Sequence, residues 1–421
     1  MSLFDEIQWD LSAPQSTPMN DHAVPLISSH LQGKRIALMV CAGIAAMKAP
    51  LIARALRKRG AHVTAFVSAE AHRYVALDAL EWSCDQEVVH TLSARAEHLG
   101  DGRSFDAYLV APATYNTINK IAYGIADTVI TSTLASALGR LQQQQTKILI
   151  APTMHGSMHN PILVESLQRL RNLGVICIPP RDAYGKDNIP NESSLVLHVC
   201  KAISSSSLKG KGVLITGGPT PVAIDGVRRL TNKFTGRLSI EIAQEFLYRG
   251  ADVRLLLGAG SITPPAILQP YIQRIALLEE YIHYCRQYTQ DSRCQVGIFS
   301  AAVADYQPRQ VIDGKFASQA DEWTIPLKPT LKVIQDIRTR CPQLHMLTFK
   351  YQEKVSHQEL MEIAHKRVEQ FGAVIANRGE EKGPQQEQIA WLCRADQAPQ
   401  KIISKAKIAT TIAEYFESLF L

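Results

Sequence analysis

The segment APTMHGSMHN, residues 151–160, sets His155 and His159 four residues apart, directly after the apolar run KILI. Two imidazoles at that spacing on a helix could hold a metal, but a metal site needs a third ligand and none is evident nearby. A loop-filling histidine and a histidine that faces a substrate are the other readings, and the residues leave all three open. In CAGIAAMK, residues 41–48, Gly43 stands between an apolar run and a helical stretch. A glycine there lets the backbone approach a phosphate, which the free N–H groups of a helix start attract. The stretch VAPATYNTINK breaks at Pro112 and presents Thr114, Asn116 and Thr117. In ITGGPTPVAIDGVRRLTNKFTGR, Gly217, Gly218 and Thr220 form a glycine turn, followed by Asp225, Arg228, Asn232 and a TGR turn that opens a helix. A glycine turn with a basic residue at a helix start makes a phosphate nest.

These groups share one feature, in that each follows a short apolar run. RIALMVC, HVTAFVS, AYLVAPAT and KILIAPT alternate with amphipathic stretches, and the pattern restarts with GVLITGG, DVRLLLGAG, VGIFSAAVADY, HMLTFK, AVIAN and QIAWLC. Strand, glycine turn, helix, strand is the signature of a parallel sheet covered on both faces. The expected fold is α/β, with two doubly wound parallel-sheet domains. The expected boundaries are an extension over residues 1–32, a first domain over 33–203, a linker over 204–210 at the SSSS run, and a second domain over 211–421. Ligands of such sheets sit at the carboxyl ends of the strands, where these polar residues fall.

A chain of 421 residues suits two domains better than one core. The net charge of +6, without a Lys/Arg block, fits small anions better than nucleic acid. Eight cysteines without a C-x-x-C pair argue for free thiols in a reducing cytoplasm rather than for structural zinc. No segment is long and apolar enough for a membrane helix. The first 32 residues lack the apolar stretch of a secretory signal, and they could dock on a neighbouring surface through Phe4, Ile7 and Trp9.

The segment from Val110 to Ala135 resembles the P-A-S/T-A-N-T motif of the homo-oligomeric flavin-containing cysteine decarboxylases, including the phosphopantothenoylcysteine decarboxylases of coenzyme A synthesis. The resemblance implies a flavodoxin-like half that binds FMN through Gly43, Ile44, Ala45, Ser68, Pro112, Ala113, Thr114, Asn116 and Thr117. It also implies that His98 is an acid or base beside the substrate cysteine. APTMHGSMHN stands at the family's P-A-M-N-x-x-M motif, so His155 replaces an Asn that binds the departing carboxylate. The lid cysteine that donates a proton when the product is reduced has no counterpart in PPRDAYGKDNIPNE, residues 179–192. The nearest thiol is Cys177, in the preceding strand.

The stretch from Ile215 to Ser239, with SAAVADYQP, Lys315, LKP, Phe349 and the Asn of VIAN, is similar in order and spacing to the phosphopantothenate–cysteine ligases. This resemblance implies a Rossmann-like half that uses CTP and Mg2+ to turn a carboxylate into an acyl-cytidylate, which cysteine's amine then attacks. By the same resemblance Lys315 is needed to form the acyl-cytidylate and Asn232 governs its breakdown. Gly217, Gly218, Thr220, Gly236, Arg237, Ala302, Asp305, Phe349 and Asn377 bind the nucleotide, with Asp305 also at the metal. Phe234 replaces a small hydroxyl residue, Val222 a glutamate and Thr330 an aspartate. The expected function is a bifunctional enzyme of the coenzyme A synthesis type. It would join phosphopantothenate or an analogue to cysteine, and its decarboxylase half would be altered or impaired. The alternatives are a specialised-metabolism FMN/CTP ligase with a different acid or amine, and a non-catalytic flavin-binding partner protein. The resemblance further implies a homo-oligomer.

Overall fold

The computed structural model describes residues 11–421 except 14, 16, 17, 101–103, 317–321 and 396. Phe4, Ile7 and Trp9 lie outside the described residues. The chain divides into two compact units, residues 1–195 and 196–421.

In the first unit, β1 (Arg35–Val40), β2 (His62–Val67), β3 (Ala107–Ala113), β4 (Lys147–Pro152) and β5 (Ile176–Cys177) form a parallel sheet in the order β2-β1-β3-β4-β5. All seven residues of β3 are buried. Such an unbroken apolar strand, without alternation, is what a sheet covered on both faces requires. The covering helices are α1 (Ala49–Arg57), α2 (Leu77–Cys84), α3 (Tyr115–Ala122), α4 (Val129–Gln142) and α5 (Pro161–Asn172). Ile118, Ile121, Ile130, Leu134 and Leu163 from these helices meet Met39, Tyr108 and Ile150 of the strands in one core. The strand order reverses between β1 and β3, so the crevice for a ligand opens at their carboxyl ends.

Past β4 the chain departs from the expected loop and lid. The short strand Met154–His155 pairs antiparallel with Lys186–Asn188, which pairs antiparallel with Arg181–Ala183. Tyr184 and Gly185 turn this hairpin with φ of 58° and 64°, the two positive values that a type I′ turn needs. The helix α6 (Glu192–Ile203) runs through residue 195, where the compact units divide.

The second unit holds an eight-stranded sheet. Its members are β6 (Gly212–Gly217), β7 (Asp252–Gly258), β8 (Ile272–Ile275), β9 (Cys294–Phe299), β10 (His345–Gln352), β11 (Gly372–Arg378), β12 (Ile389–Arg394) and β13 (Gln397–Ile403). They lie in the order β8-β7-β6-β9-β10-β11-β12-β13, with the first six parallel. The last two are antiparallel, because β12 and β13 follow each other with too few residues between them for a crossover. The helices are α7 (Arg237–Tyr248), α8 (Leu278–Gln290), α9 (Val333–Arg340), α10 (His357–Phe371) and α11 (Lys405–Leu419). Here the order reverses between β6 and β9. Among the described residues no helix is long and apolar enough to cross a membrane.

Candidate active sites at two strand-order reversals

In the first unit, β1 ends at Cys41 and Gly43, β2 at Ser68 and β3 at Thr114. A Cβ placed on Gly43 would lie 3.7 Å from the Thr114 methyl group. Ser68 donates its backbone N–H to Val40 O at 3.1 Å. Burial pushes the Cys41 thiol up in pKa, against the hydrogen bonds from Thr117 and Thr114. Thr114 caps α3, accepting from the Thr117 N–H. The turn Ile44–Lys48 follows Gly43 directly. Gly43, Ile44, Ala45, Ser68, Pro112, Ala113, Thr114, Asn116 and Thr117 thus gather at one edge of the sheet. The Ser68 hydroxyl is buried without a hydrogen-bond partner, and so is His98 Nδ1, on the turn Glu97–Leu99. A buried hydroxyl and a buried ring nitrogen left unpaired cost about 1–3 kcal/mol each unless a ligand satisfies them. The unpaired Ser68 hydroxyl fits a polar cofactor at the carboxyl ends of β1 and β2, while the turn that carries His98 packs on α4, where Arg140 donates to Leu99 O.

His155 and His159 do not converge. His155 Nδ1 accepts from the Ser157 N–H at 3.2 Å and lies 2.8 Å from the Ser157 hydroxyl. His159 lies 3.3 Å from Asp187 in the hairpin. With Nδ1 engaged by Ser157, Nε2 is the ring nitrogen of His155 left to meet a ligand. No group of three possible metal ligands forms among the described residues.

In the second unit, a cleft of 640 Å³ opens at the carboxyl ends of β6, β9 and β10. Gly218, Asn232, Gly236, Arg237, Ala302, Asp305, Phe349 and Asn377 all line it. Gly236 caps α7 with φ of 72°, and no side chain occupies the first N–H groups of that helix. Arg237, Lys332, Lys350, Arg367 and Lys405 surround the same space, against one carboxylate, Asp305. Lys332 and Asp305 pair at the rim. Asn232 Nδ2 donates to Ala302 O at 2.9 Å, tying the β6 turn to the β9 turn. An open helix N-terminus ringed by five cations is suited to an anion.

Two expected nucleotide-site residues, Gly217 and Thr220, and one expected catalytic residue, Lys315, do not line the cleft. Gly217 lies behind it, where an added Cβ would come within 1.8 Å of Ser239 Oγ. Its bareness therefore serves close packing of β6 on α7. Thr220 is 1% exposed, and its hydroxyl accepts the Ala304 N–H at 3.0 Å, so it shapes the β9 turn rather than touching a ligand. Lys315 is exposed on the segment after residue 308 and is absent from the cleft wall. Sequence reasoning missed Lys332, Lys350, Arg367 and Lys405. Nothing marks them in the sequence, because their convergence depends on four separate elements.

Fold and sites together define a two-unit α/β protein, one unit flavodoxin-like and the other carrying a nucleotide-type anion cleft. Residues 26–204 match the Flavoprotein family, and residues 208–419 match the DNA/pantothenate metabolism flavoprotein C-terminal domain. The Coenzyme A biosynthesis bifunctional protein CoaBC of Thermococcus kodakarensis is 31% identical, over 94% of this chain and 99% of its own length. The CoaBC of Bacillus subtilis is 29% identical over 82% of this chain and 86% of its own. The DNA/pantothenate metabolism flavoprotein of Streptococcus pneumoniae, seen in a crystal structure, is 26% identical, covering 50% of this chain and 99% of its own with a TM-score of 0.44. The chain belongs to the CoaBC-type bifunctional family of coenzyme A biosynthesis, with a decarboxylase-like flavoprotein half and a ligase half.

Proposed function

We propose that the second unit activates a carboxylate with CTP and joins it to cysteine, with phosphopantothenate or a close analogue as the acid. The observation that carries this reading is the cationic cleft at the N-terminus of α7, with Asn232 and Asp305 in its wall. A carboxylate oxygen attacks the α-phosphorus of CTP, the α–β P–O bond breaks, and pyrophosphate leaves. The amine of cysteine then attacks the acyl carbon of the acyl-cytidylate, CMP leaves with the C–O electron pair, and the amine loses a proton. Arg237, Lys332, Lys350 and Lys405 offset the charge of the phosphates, and Lys315 supplies a further cation as the α-phosphorus is attacked. Asp305 would be the carboxylate that holds Mg2+, which would supply further positive charge against the triphosphate. Pyrophosphate release from CTP, dependent on phosphopantothenate, tests the reading, and its absence with every acid offered would sink it.

The first unit would bind FMN at the β1/β3 crevice, with Gly43, Ile44 and Ala45 along the phosphate, the Ser68 hydroxyl as a donor, and Pro112–Thr117 along the ring. FMN supplies the two-electron redox chemistry that no side chain offers. His98 would be the acid or base beside the substrate cysteine, and His155 would meet the carboxylate end through Nε2. Decarboxylation would be altered here, because an imidazole stands in place of the amide and residues 179–192 contain no thiol. Tyr184, 97% exposed, occupies the hairpin tip in that segment.

Eight free thiols support a cytoplasmic setting. Ile44, Met47 and Leu51, spaced along the α1 entry and 73%, 61% and 57% exposed, support a homo-oligomer that covers them.

A further inference from the structure

Lys315 lies outside the cleft wall, yet its backbone is gripped on both sides. The short antiparallel pair Val222–Ala223 and Arg229–Leu230 closes a hairpin with Asp225 in its turn. The Asp225 carboxylate is fully buried. One oxygen accepts from the Val227 and Arg228 N–H groups at 2.8 and 2.6 Å. The other accepts from Arg228 Nη1 at 2.6 Å and from the Phe316 N–H at 3.2 Å. Gly226 donates its N–H to Gly314 O at 2.7 Å, and Arg228 Nη1 donates to Phe316 O at 3.3 Å. Three hydrogen bonds therefore bracket Lys315, at residues 314 and 316. Trp323 stacks on Phe316 at 4.3 Å and 8°, and the Arg228 guanidinium lies 5.1 Å from the Trp323 ring centre.

A turn needs only the two bonds to Val227 and Arg228. It does not need a buried carboxylate bonded to an amide 91 residues away. Burying that charge is worthwhile where it fixes the partner segment, since a lysine on a free loop loses entropy each time it is placed. The same hairpin runs four residues on to Asn232, whose amide is held at the cleft.

We propose that Asp225 is a positioning residue for Lys315. Through Arg228 and the Phe316 stack, it holds the Lys315 backbone so that the ammonium group meets the triphosphate as the acyl–phosphate bond forms. This rests on the ligase reading above.

The test uses the full chain with CTP, phosphopantothenate and cysteine. In D225N, kcat for pyrophosphate release should fall by about tenfold or more, while the calorimetric Kd for CTP changes less than about threefold. Amide exchange at Phe316 and Gly226 should accelerate in the same protein. W323A leaves the carboxylate paired and should lower kcat by about threefold, so it serves where D225N does not fold. Faster exchange at Phe316 with kcat unchanged, in either variant, overturns the proposal, as does a D225N loss shared equally by the CTP affinity. A wild-type protein that releases no pyrophosphate overturns the ligase reading itself. Wild-type release with an indifferent D225N overturns the positioning alone.

Discussion

Lys315 and His155 carry the two sharpest expectations about single residues. With Lys315→Ala the ligase unit should lose pyrophosphate release by more than about a hundredfold and keep its melting temperature, since the side chain is exposed. Unchanged release would remove Lys315 from the mechanism. For His155, Ser157 engages Nδ1 and leaves Nε2 as the point of contact for a ligand. A charge-assisted bond from an imidazolium would favour the ground-state carboxylate over the departing, charge-dispersed CO2, as the neutral amide of Asn would not. Incubated with phosphopantothenoylcysteine, the protein should give little or no phosphopantetheine, and His155→Asn should raise CO2 release; multiple turnovers in the wild type would refute this. Asp225 gives a pH expectation. Burial raises its pKa, but the bonds from Arg228, Val227 and Phe316 outweigh this and hold it at about 2. A folded-state pKa below the unfolded one adds stability above about pH 4 that is lost as pH falls toward 2. The stability gap between wild type and D225N should therefore be wide at pH 7 and shrink between pH 4 and 2 in urea titrations. At this scale the sequence disclosed the residues of the glycine turns and strand ends. It hid Lys332, Lys350, Arg367 and Lys405, which share no local pattern.

Among the elements, the helix α7 and the strand β6 do most to build the ligase cleft, and Gly217 is their point of contact. Adding a methyl group there drives it into Ser239, whose hydroxyl donates to Gly236 O at 2.7 Å at the mouth of the helix. Gly217→Ala should lower stability by about 1–3 kcal/mol and weaken CTP binding through the displaced helix start. Adding Ser239→Ala should recover part of the loss, because two residues in contact are not additive. If Gly217→Ala binds CTP and melts as the wild type does, the packing argument fails. The parallel strands were legible because buried strands read as unbroken apolar runs, as RIALMVC and AYLVAPA do. The hairpin of residues 181–188 was not. RDA and KDN carry no alternation, and Tyr184 in a left-handed turn is a weak signal beside Asn or Gly.

For the whole molecule, the SSSS run suggested a linker at 204–210, yet these residues are held within the second unit. Ser204 donates to Arg249 O at 2.7 Å, Ser207 donates to Glu417 O at 2.9 Å, and Lys201 pairs with Asp252 at 2.8 Å. Serine clusters look like linkers because their hydroxyls bond to backbone as readily as to water, and sequence does not tell which. A second unit produced from residue 196 should thus melt higher than one produced from residue 211; equal melting temperatures would return 204–210 to the role of a linker. On the proposed reading, the cleft of this unit binds CTP to activate an acid. The most direct measurement is pyrophosphate release by the full chain given CTP and phosphopantothenate, with and without cysteine. Release should need both CTP and the acid, with CMP following once cysteine is present. No release with CTP, or equal release without the acid, would contradict that reading.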